Sequence, residues 1–259
     1  MANEGGKTNN RYWRGRFLAE EGLFERMEVE GGFPSMEAVE RWKRWIALDD
    51  AAFEAALNVH FRPARQVEPA FWRDARLNAP SQPVVGVCWY EARAYCAWLS
   101  AQCGVPVTLP SEPEWEASAR GLKGRVYPYG LDHDPAKTNT FESHIRRTTP
   151  VGVYPDGRTP EDVMDLSGNV WEWTRSLWSR TGTDLDFPYP YVANDGREAP
   201  SAPSGAARVV RGGSWRYDHH FARAAFRRRF QPNNRYSNRG FRLVVSSPIS
   251  PDALASGAV

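Results

Sequence analysis

The chain has little cysteine, little lysine and no long apolar run, and each shortage excludes something. Its three cysteines, Cys88, Cys96 and Cys103, are an odd number without C-x-x-C spacing, which argues against a disulfide framework. Cys96 and Cys103 share one face of an expected helix with Ala92 and Leu99, so they read as buried small residues. No apolar stretch approaches the ~20 residues needed to span a bilayer. The opening Met1-Ala2-Asn3-Glu4-Gly5-Gly6-Lys7 has neither the basic start nor the apolar run of a signal peptide. The chain therefore reads as soluble and cytoplasmic, with surface display by another route left open. Lysine stands only at Lys7, Lys43, Lys123 and Lys137, so 29 of the 33 basic residues are arginine. Arginine's planar fork suits carboxylate, phosphate and aromatic partners.

The composition itself is that of an ordinary globular protein. At 259 residues, 41% hydrophobic and 25% charged, the chain can bury a core as one large domain or two small ones. Eleven tryptophans, 21 glycines and 20 prolines point to a loop-rich fold whose irregular backbone is held by large aromatics. The expected organisation is a flexible tail over 1–10, a single domain over 11–245 with a helical part over 11–82, and a second flexible tail over 246–259.

Within that domain the spacing predicts particular elements. Ser35 caps a helix with Val39, Trp42, Trp45 and Ile46 on one face, and Asp50 caps a second through Phe53 and Leu57. Val84–Val87 reads as a short buried strand leading into a helix over Trp89–Gln102 that ends near Gly104, and Val107–Leu109 as another strand. Ser111-Glu112-Pro113-Glu114 carries a capping box that opens a helix to Arg120. Gly, Pro and Ser are frequent between Pro188 and Ala206, the mark of a long surface loop.

The most telling stretch is Arg208 to Val244. Arg211-Gly212-Gly213-Ser214-Trp215 and Arg239-Gly240-Phe241-Arg242-Leu243 bracket a middle with neither helical period nor strand alternation. Ten arginines lie between Arg208 and Arg242, with Asp218 the one acid. The contact-rich side chains of the middle come first as Arg216, Tyr217, Asp218, His219, His220 and Phe221. Phe226, Arg228 and Phe230 follow, then Asn233, Asn234, Tyr236, Ser237 and Asn238. These form the candidate ligand-binding surface, because aromatic, amide and guanidinium groups give large or multi-donor contacts.

Four blocks carry a resemblance: Pro83 to Ala92 (PVVGVCWYEA), Leu109 to Glu116 (LPSEPEWE), Asp165 to Trp173 (DLSGNVWEW), and Arg211 to Trp215 with Gly240-Phe241-Arg242. In this order they resemble the formylglycine-generating-enzyme (sulfatase-modifying factor) family. The resemblance implies an α+β, loop-rich C-type lectin fold with a small antiparallel sheet. The oxidases of that family carry a copper-binding cysteine pair just after the Gly-Gly-Ser block. Here Arg216 to Arg223 holds no cysteine and none follows. The related sulfoxide synthases need a histidine iron triad supplied by a separate N-terminal domain, yet His60 is the one histidine before residue 133. No catalytic residue is assigned and no redox cofactor is expected.

The resemblance also implies structural calcium. One site would use the Asp165 side chain, the Gly168 and Val170 carbonyls and the Glu172 carboxylate, and a second Asn139, the Thr140 carbonyl, Ser143 and the Ile145 carbonyl. Buried hydrogen bonding of Glu172 without metal is the alternative. His219 and His220 are expected to be contact residues rather than metal ligands, since neighbours on extended chain point to opposite sides.

Within the fold, the middle segment most resembles the variable proteins of diversity-generating retroelements, in which adenine mutagenesis of AAC codons yields Asn, Tyr, His, Asp, Ser, Phe and Arg. Arg216 to Phe221 and Asn233 to Asn238 fit that alphabet, and Gln231 does not. The functional expectation is a non-catalytic protein binding a protein or other macromolecular ligand, anionic ones favoured. A metal-dependent oxidoreductase of the formylglycine-generating or sulfoxide synthase type is the alternative. A nucleic-acid-binding module ranks third.

Overall fold

The computed structural model describes residues 4–30, 33, 36–60, 67–203 and 205–245, with side chains from Asn10 onward. Two compact units divide it, Met1–Val67 and Glu68–Val259, where the sequence reading draws one domain. Ser35, the segment 62–66 and the tail 246–259 lie outside the described residues. No helix among the described residues is long and apolar enough to cross a membrane.

The first unit is helical: α1 (Glu4–Ala19), α2 (Leu23–Val29), α3 (Met36–Ile46) and α4 (Asp50–His60). Helix α1 takes in residues 4–10, most of the stretch expected to fray. Val39, Trp42 and Trp45 are buried as their spacing predicts, in a cluster with Phe17, Phe24, Phe53 and Leu57. The cap of α4 is Asp49 rather than Asp50, because Asp49 Oδ1 accepts the Ala52 N–H at 2.7 Å. Asp50 is instead the acceptor for Arg14 Nη1, at 2.7 Å.

The second unit begins irregularly. Val85 and Val87 are buried as expected, but Val84–Val87 is not a strand. Gly86, at φ 76°, donates its N–H to the Tyr236 carbonyl, and its own carbonyl accepts the Ala70 N–H. These backbone groups are satisfied by loops, so no ladder forms. Helix α5 (Trp89–Cys103) follows and ends at Gly104 in the left-handed conformation. Strand β1 (Val107–Thr108) leads to α6 (Glu112–Arg120), whose capping box is formed as read: Glu114 N–H donates to Ser111 Oγ, and Ser111 N–H to Glu114 Oε2.

The remaining strands are β2 (Trp171–Ser179), β3 (Ala207–Arg211), β4 (Arg228–Phe230), β5 (Arg239–Phe241) and β6 (Val244–Val245). The main sheet runs β4-β3-β2-β5, and β6 pairs with β1. Every pairing is antiparallel except β2 with β5, which is parallel. This is the loop-rich α+β arrangement with a small sheet that the resemblance implies. Trp171 and Trp173 on β2 are fully buried with Trp89, Leu109 and Val210. Among the described residues between Pro188 and Ala206 there is no helix or strand. Arg197 pins that loop from inside, donating to Asp195 and to the Pro188 carbonyl.

Candidate functional site

The site starts where β3 ends. Gly212 and Gly213 sit at φ 95° and 75°, and a Cβ on Gly213 would lie 2.8 Å from the Ala222 backbone. Only glycine turns the chain this tightly against the segment that follows. Ser214 Oγ then accepts the Asn238 Nδ2 hydrogen bond at 3.0 Å, tying the start of the segment to its end. Asn238 is thus buried scaffold, its carbonyl also accepting the Trp171 N–H, and not part of the contact surface its sequence neighbours form.

Tyr217, Phe221, Phe226 and Phe230 are half-buried and pack onto the cluster containing Trp171 and Trp173. Tyr217 and Phe221 centroids are 5.1 Å apart, and Phe221 and Phe226 4.9 Å. They form an aromatic floor, while Arg216, His220, Asn233 and Tyr236 are exposed, and Asp218, His219, Asn234 and Ser237 intermediate. The Arg228 guanidinium lies across the floor, 4.9 Å from the Tyr217 centroid and 5.3 Å from Phe230. Among the described residues it has no hydrogen bond or ion pair.

Arg239 is more unusual. Only 3% exposed, it stacks 3.2 Å from the Phe230 centroid and 4.3 Å from Tyr236, and among the described residues its Nε and Nη1 find no acceptor. Burial pushes its guanidinium down to about 9, and the neighbouring charge of Arg228 acts the same way. Two adjacent cations without a carboxylate between them are costly, because a buried charge is stable only when paired. An anion docked against the more accessible Arg228 would neutralise one charge of the pair.

Beside this pair runs an open groove of about 430 Å³ lined by Trp178, Arg227, Arg228, Arg229, Gln231 and Asn234 among others, none of them acidic. Strand alternation sends Arg228 to the aromatic floor and its neighbours the other way. Arg227 and Arg229 stack on Trp178, at 5.0 and 5.4 Å, and the buried Trp178 Nε1 has no acceptor. The sequence reading places Arg227, Arg229 and Gln231 inside the 216–238 segment without singling them out, and Trp178 lies outside it. The arginine run was visible, but Trp178 lies on β2, some 50 residues away, and only sheet pairing brings it here.

The histidines depart from expectation. Residues 219–222 form a 3-10 turn capped by Asp218, whose Oδ1 accepts the His220 N–H at 2.9 Å. Adjacent side chains are therefore not on opposite sides of an extended chain. The His219 and His220 rings lie 4.0 Å apart, and His133 stacks on His219 at 4.5 Å. Glu142 Oε1 accepts the His219 N–H at 3.0 Å and faces its Nδ1 at 2.7 Å. Burial alone would raise the Glu142 carboxyl, but these contacts hold it down at about 2.

The two carboxylates of the first implied calcium set already have protein partners. Glu172 accepts from Arg242 Nε and Nη2 at 2.6 and 2.8 Å and from Trp115 Nε1 at 2.6 Å. Asp165 Oδ2 accepts the Gly152 N–H, and burial, then the nearby Glu172, raises the Asp165 carboxyl. Arg242 thus holds the positive charge that calcium would bring. In the second set the Ser143 hydroxyl contacts Asn139 Oδ1 at 2.9 Å and the Thr140 carbonyl at 2.7 Å. No carboxylate is present in this set, and calcium prefers several charged oxygens. These residues do not fit the ion, so chelation by EDTA is expected to leave the melting temperature unchanged. A fall that added calcium reverses would show that the protein holds one.

The cysteines are not placed as a catalytic pair. All three are unpaired, with Cys88 and Cys96 buried, and burial pushes both of these thiols up, away from the reactive form.

Residues 38–247 match the sulfatase-modifying factor enzyme 1-like domain. The chain is 32% identical over 212 residues to the inactive C-alpha-formylglycine-generating enzyme 2 of Bos taurus, covering 73% of this chain and 60% of that one. It is 32% identical over 216 residues to the formylglycine-generating enzyme of Streptomyces coelicolor, covering 76% and 63%. It spans less than two thirds of the length of either relative. Among solved structures, Treponema denticola variable protein 1 is similar with a TM-score of 0.50 at 22% identity, over 71% of this chain and 75% of that one. That likeness is one of fold alone.

Proposed function

Since this chain belongs to the family of the sulfatase-modifying factor enzyme 1-like domain, we propose that it uses the family's C-type lectin fold as a non-catalytic scaffold, binding an anionic macromolecular ligand through residues 216–238. The observation that carries this reading is the pair Arg228 and Arg239, two guanidinia without counter-ions set among aromatic rings beside an arginine-lined groove. A carboxylate, sulfate or phosphate group on the ligand would pair with Arg228 and offset the repulsion it shares with Arg239. The absent cysteine pair and the protonated, buried Cys88 and Cys96 support a role other than oxidation.

The same reading makes the segment a retroelement-diversified surface. Arg216, His220, Asn233 and Tyr236 are exposed and fit the adenine-mutagenesis alphabet. Gln231, which does not fit it, donates to the Gly205 carbonyl at 3.1 Å and so has a structural reason to stay constant. Variable proteins are represented among the folds this chain resembles. An adenine-rich template repeat and a reverse-transcriptase gene beside this one would bear the proposal out.

Binding to dextran sulfate is expected to weaken steeply as salt rises, and Arg228→Ala to weaken it about tenfold, the value of one charge-assisted contact. Binding that ignores both would refute the site. A cysteine peptide of the sulfatase type, given copper, oxygen and reductant, is expected to stay unconverted. Turnover would favour the oxidoreductase.

A further inference from the structure

We propose that His219 and His220 together form a zinc-binding site on the rim of the segment, with Asp218 and Glu142 as the carboxylates that orient them. The proposal does not depend on the anion reading, since it uses neither the groove nor its arginines.

The argument begins with the protons. Glu142 Oε1 lies 2.7 Å from His219 Nδ1, and Asp218 Oδ1 lies 3.0 Å from His220 Nδ1. Each carboxylate also accepts the backbone N–H of the histidine it faces. An ionised carboxylate can only accept, so in each neutral imidazole the proton sits on Nδ1 and the Nε2 lone pair is left free. Among the described residues neither Nε2 has a protein partner. A carboxylate on Nδ1 with a bare Nε2 is the arrangement that fixes metal-binding imidazoles and raises their basicity.

The two ring centroids are 4.0 Å apart with planes 33° from parallel, so the rings are stacked. A tetrahedral ion bound at 2.0–2.1 Å needs two donor nitrogens about 3.3 Å apart with converging lone pairs, so binding requires the exposed His220 ring to swing out of its stack on His219. One donor atom each from Asp218, His219 and His220 lies within 4.8 Å of the others. His133 packs against the far face of His219 at 4.5 Å and 25°, which limits rotation of that ring. Imidazole donors suit zinc, and zinc imposes no geometry of its own on an incomplete set. Two protein nitrogens leave coordination positions open to water or to a donor on a bound ligand.

Isothermal titration of the untagged full chain with zinc chloride is expected to show about one ion bound per chain. His219→Ala and His220→Ala should each weaken binding more than tenfold. Glu142→Gln should weaken it roughly 10–100-fold at unchanged stoichiometry, as loss of an orienting carboxylate does. His220 is 66% exposed at the side chain, so its variant should keep the parent's circular dichroism and melting temperature. Cobalt(II) substitution should give a spectrum without a thiolate charge-transfer band, setting the cysteines aside as ligands. Absence of zinc uptake, uptake that both histidine variants leave intact, or a thiolate band would overturn the proposal.

Discussion

Glu112→Ala is expected to lower the free energy of unfolding by about 3–5 kcal/mol, the usual cost of breaking a buried ion pair from one side. The Glu112 side chain is fully buried and accepts from two arginines, Arg211 Nη1 at 2.8 Å and Arg227 Nε and Nη2 at 2.6 and 2.7 Å. Arg211 keeps Glu116 and the Ala224 carbonyl when Glu112 is lost. Among the described residues, Arg227 keeps the Phe187 carbonyl and its stacking on Trp178 and Tyr189. The penalty is therefore chiefly one guanidinium left in a poorly hydrated place. Removing that charge as well, in Glu112→Leu with Arg227→Met, should recover part of the loss. Urea denaturation measures both variants. A single-variant loss under about 1 kcal/mol would mean that water reaches Arg227 and that the pair is worth no more than a surface bridge.

Trp171→Ala should cost a similar ~3–5 kcal/mol, because it leaves a large cavity in a packed aromatic cluster. Trp171 is fully buried and contacts Tyr217 at 5.8 Å and Phe226 at 6.2 Å. The loss should reach the binding floor as well as the core, since those two rings rest on it. By contrast, Arg216→Ser, His220→Ser and Asn233→Ser, all at exposed positions, should each stay within ~0.5 kcal/mol. Tyr217 does not belong in that tolerant set, because its ring is part of the cluster around Trp171. Cooperative unfolding of the triple serine variant would end the idea of a surface that varies independently of its scaffold.

Much of the architecture was legible in the chain because it rests on local rules. The capping box at Ser111 and Glu114, the Gly104 stop and the apolar face of α3 each depend on residues within four positions of one another, and all appear as read. The misreadings have a common cause. Val84–Val87 looked like a strand because it is apolar and β-branched, but strand identity depends on who supplies the hydrogen bonds. Here the suppliers are Tyr236 and Ala70. The cap of α4 moved by one residue because Arg14, from another helix, engages Asp50.

At the site, residue types along 216–238 mark a contact surface by themselves, and the shortage of cysteine there argues against oxidase chemistry from the sequence alone. Which of those residues face outward depended on the tertiary structure. Asn238 turns inward to Ser214, and Tyr217 and Phe226 lie down on Trp171. Trp178 comes across from β2 to line the groove with Arg227 and Arg229. Glu142 reaches His219 across 77 positions of sequence, and Arg242 meets Glu172 across 70. Composition and short-range spacing determine what a segment can do, since they fix its chemistry and its local turns. Pairing of charges and protons is decided only by the fold, because Coulomb and hydrogen-bond partners are chosen by distance in space, and the chain's order does not encode that distance.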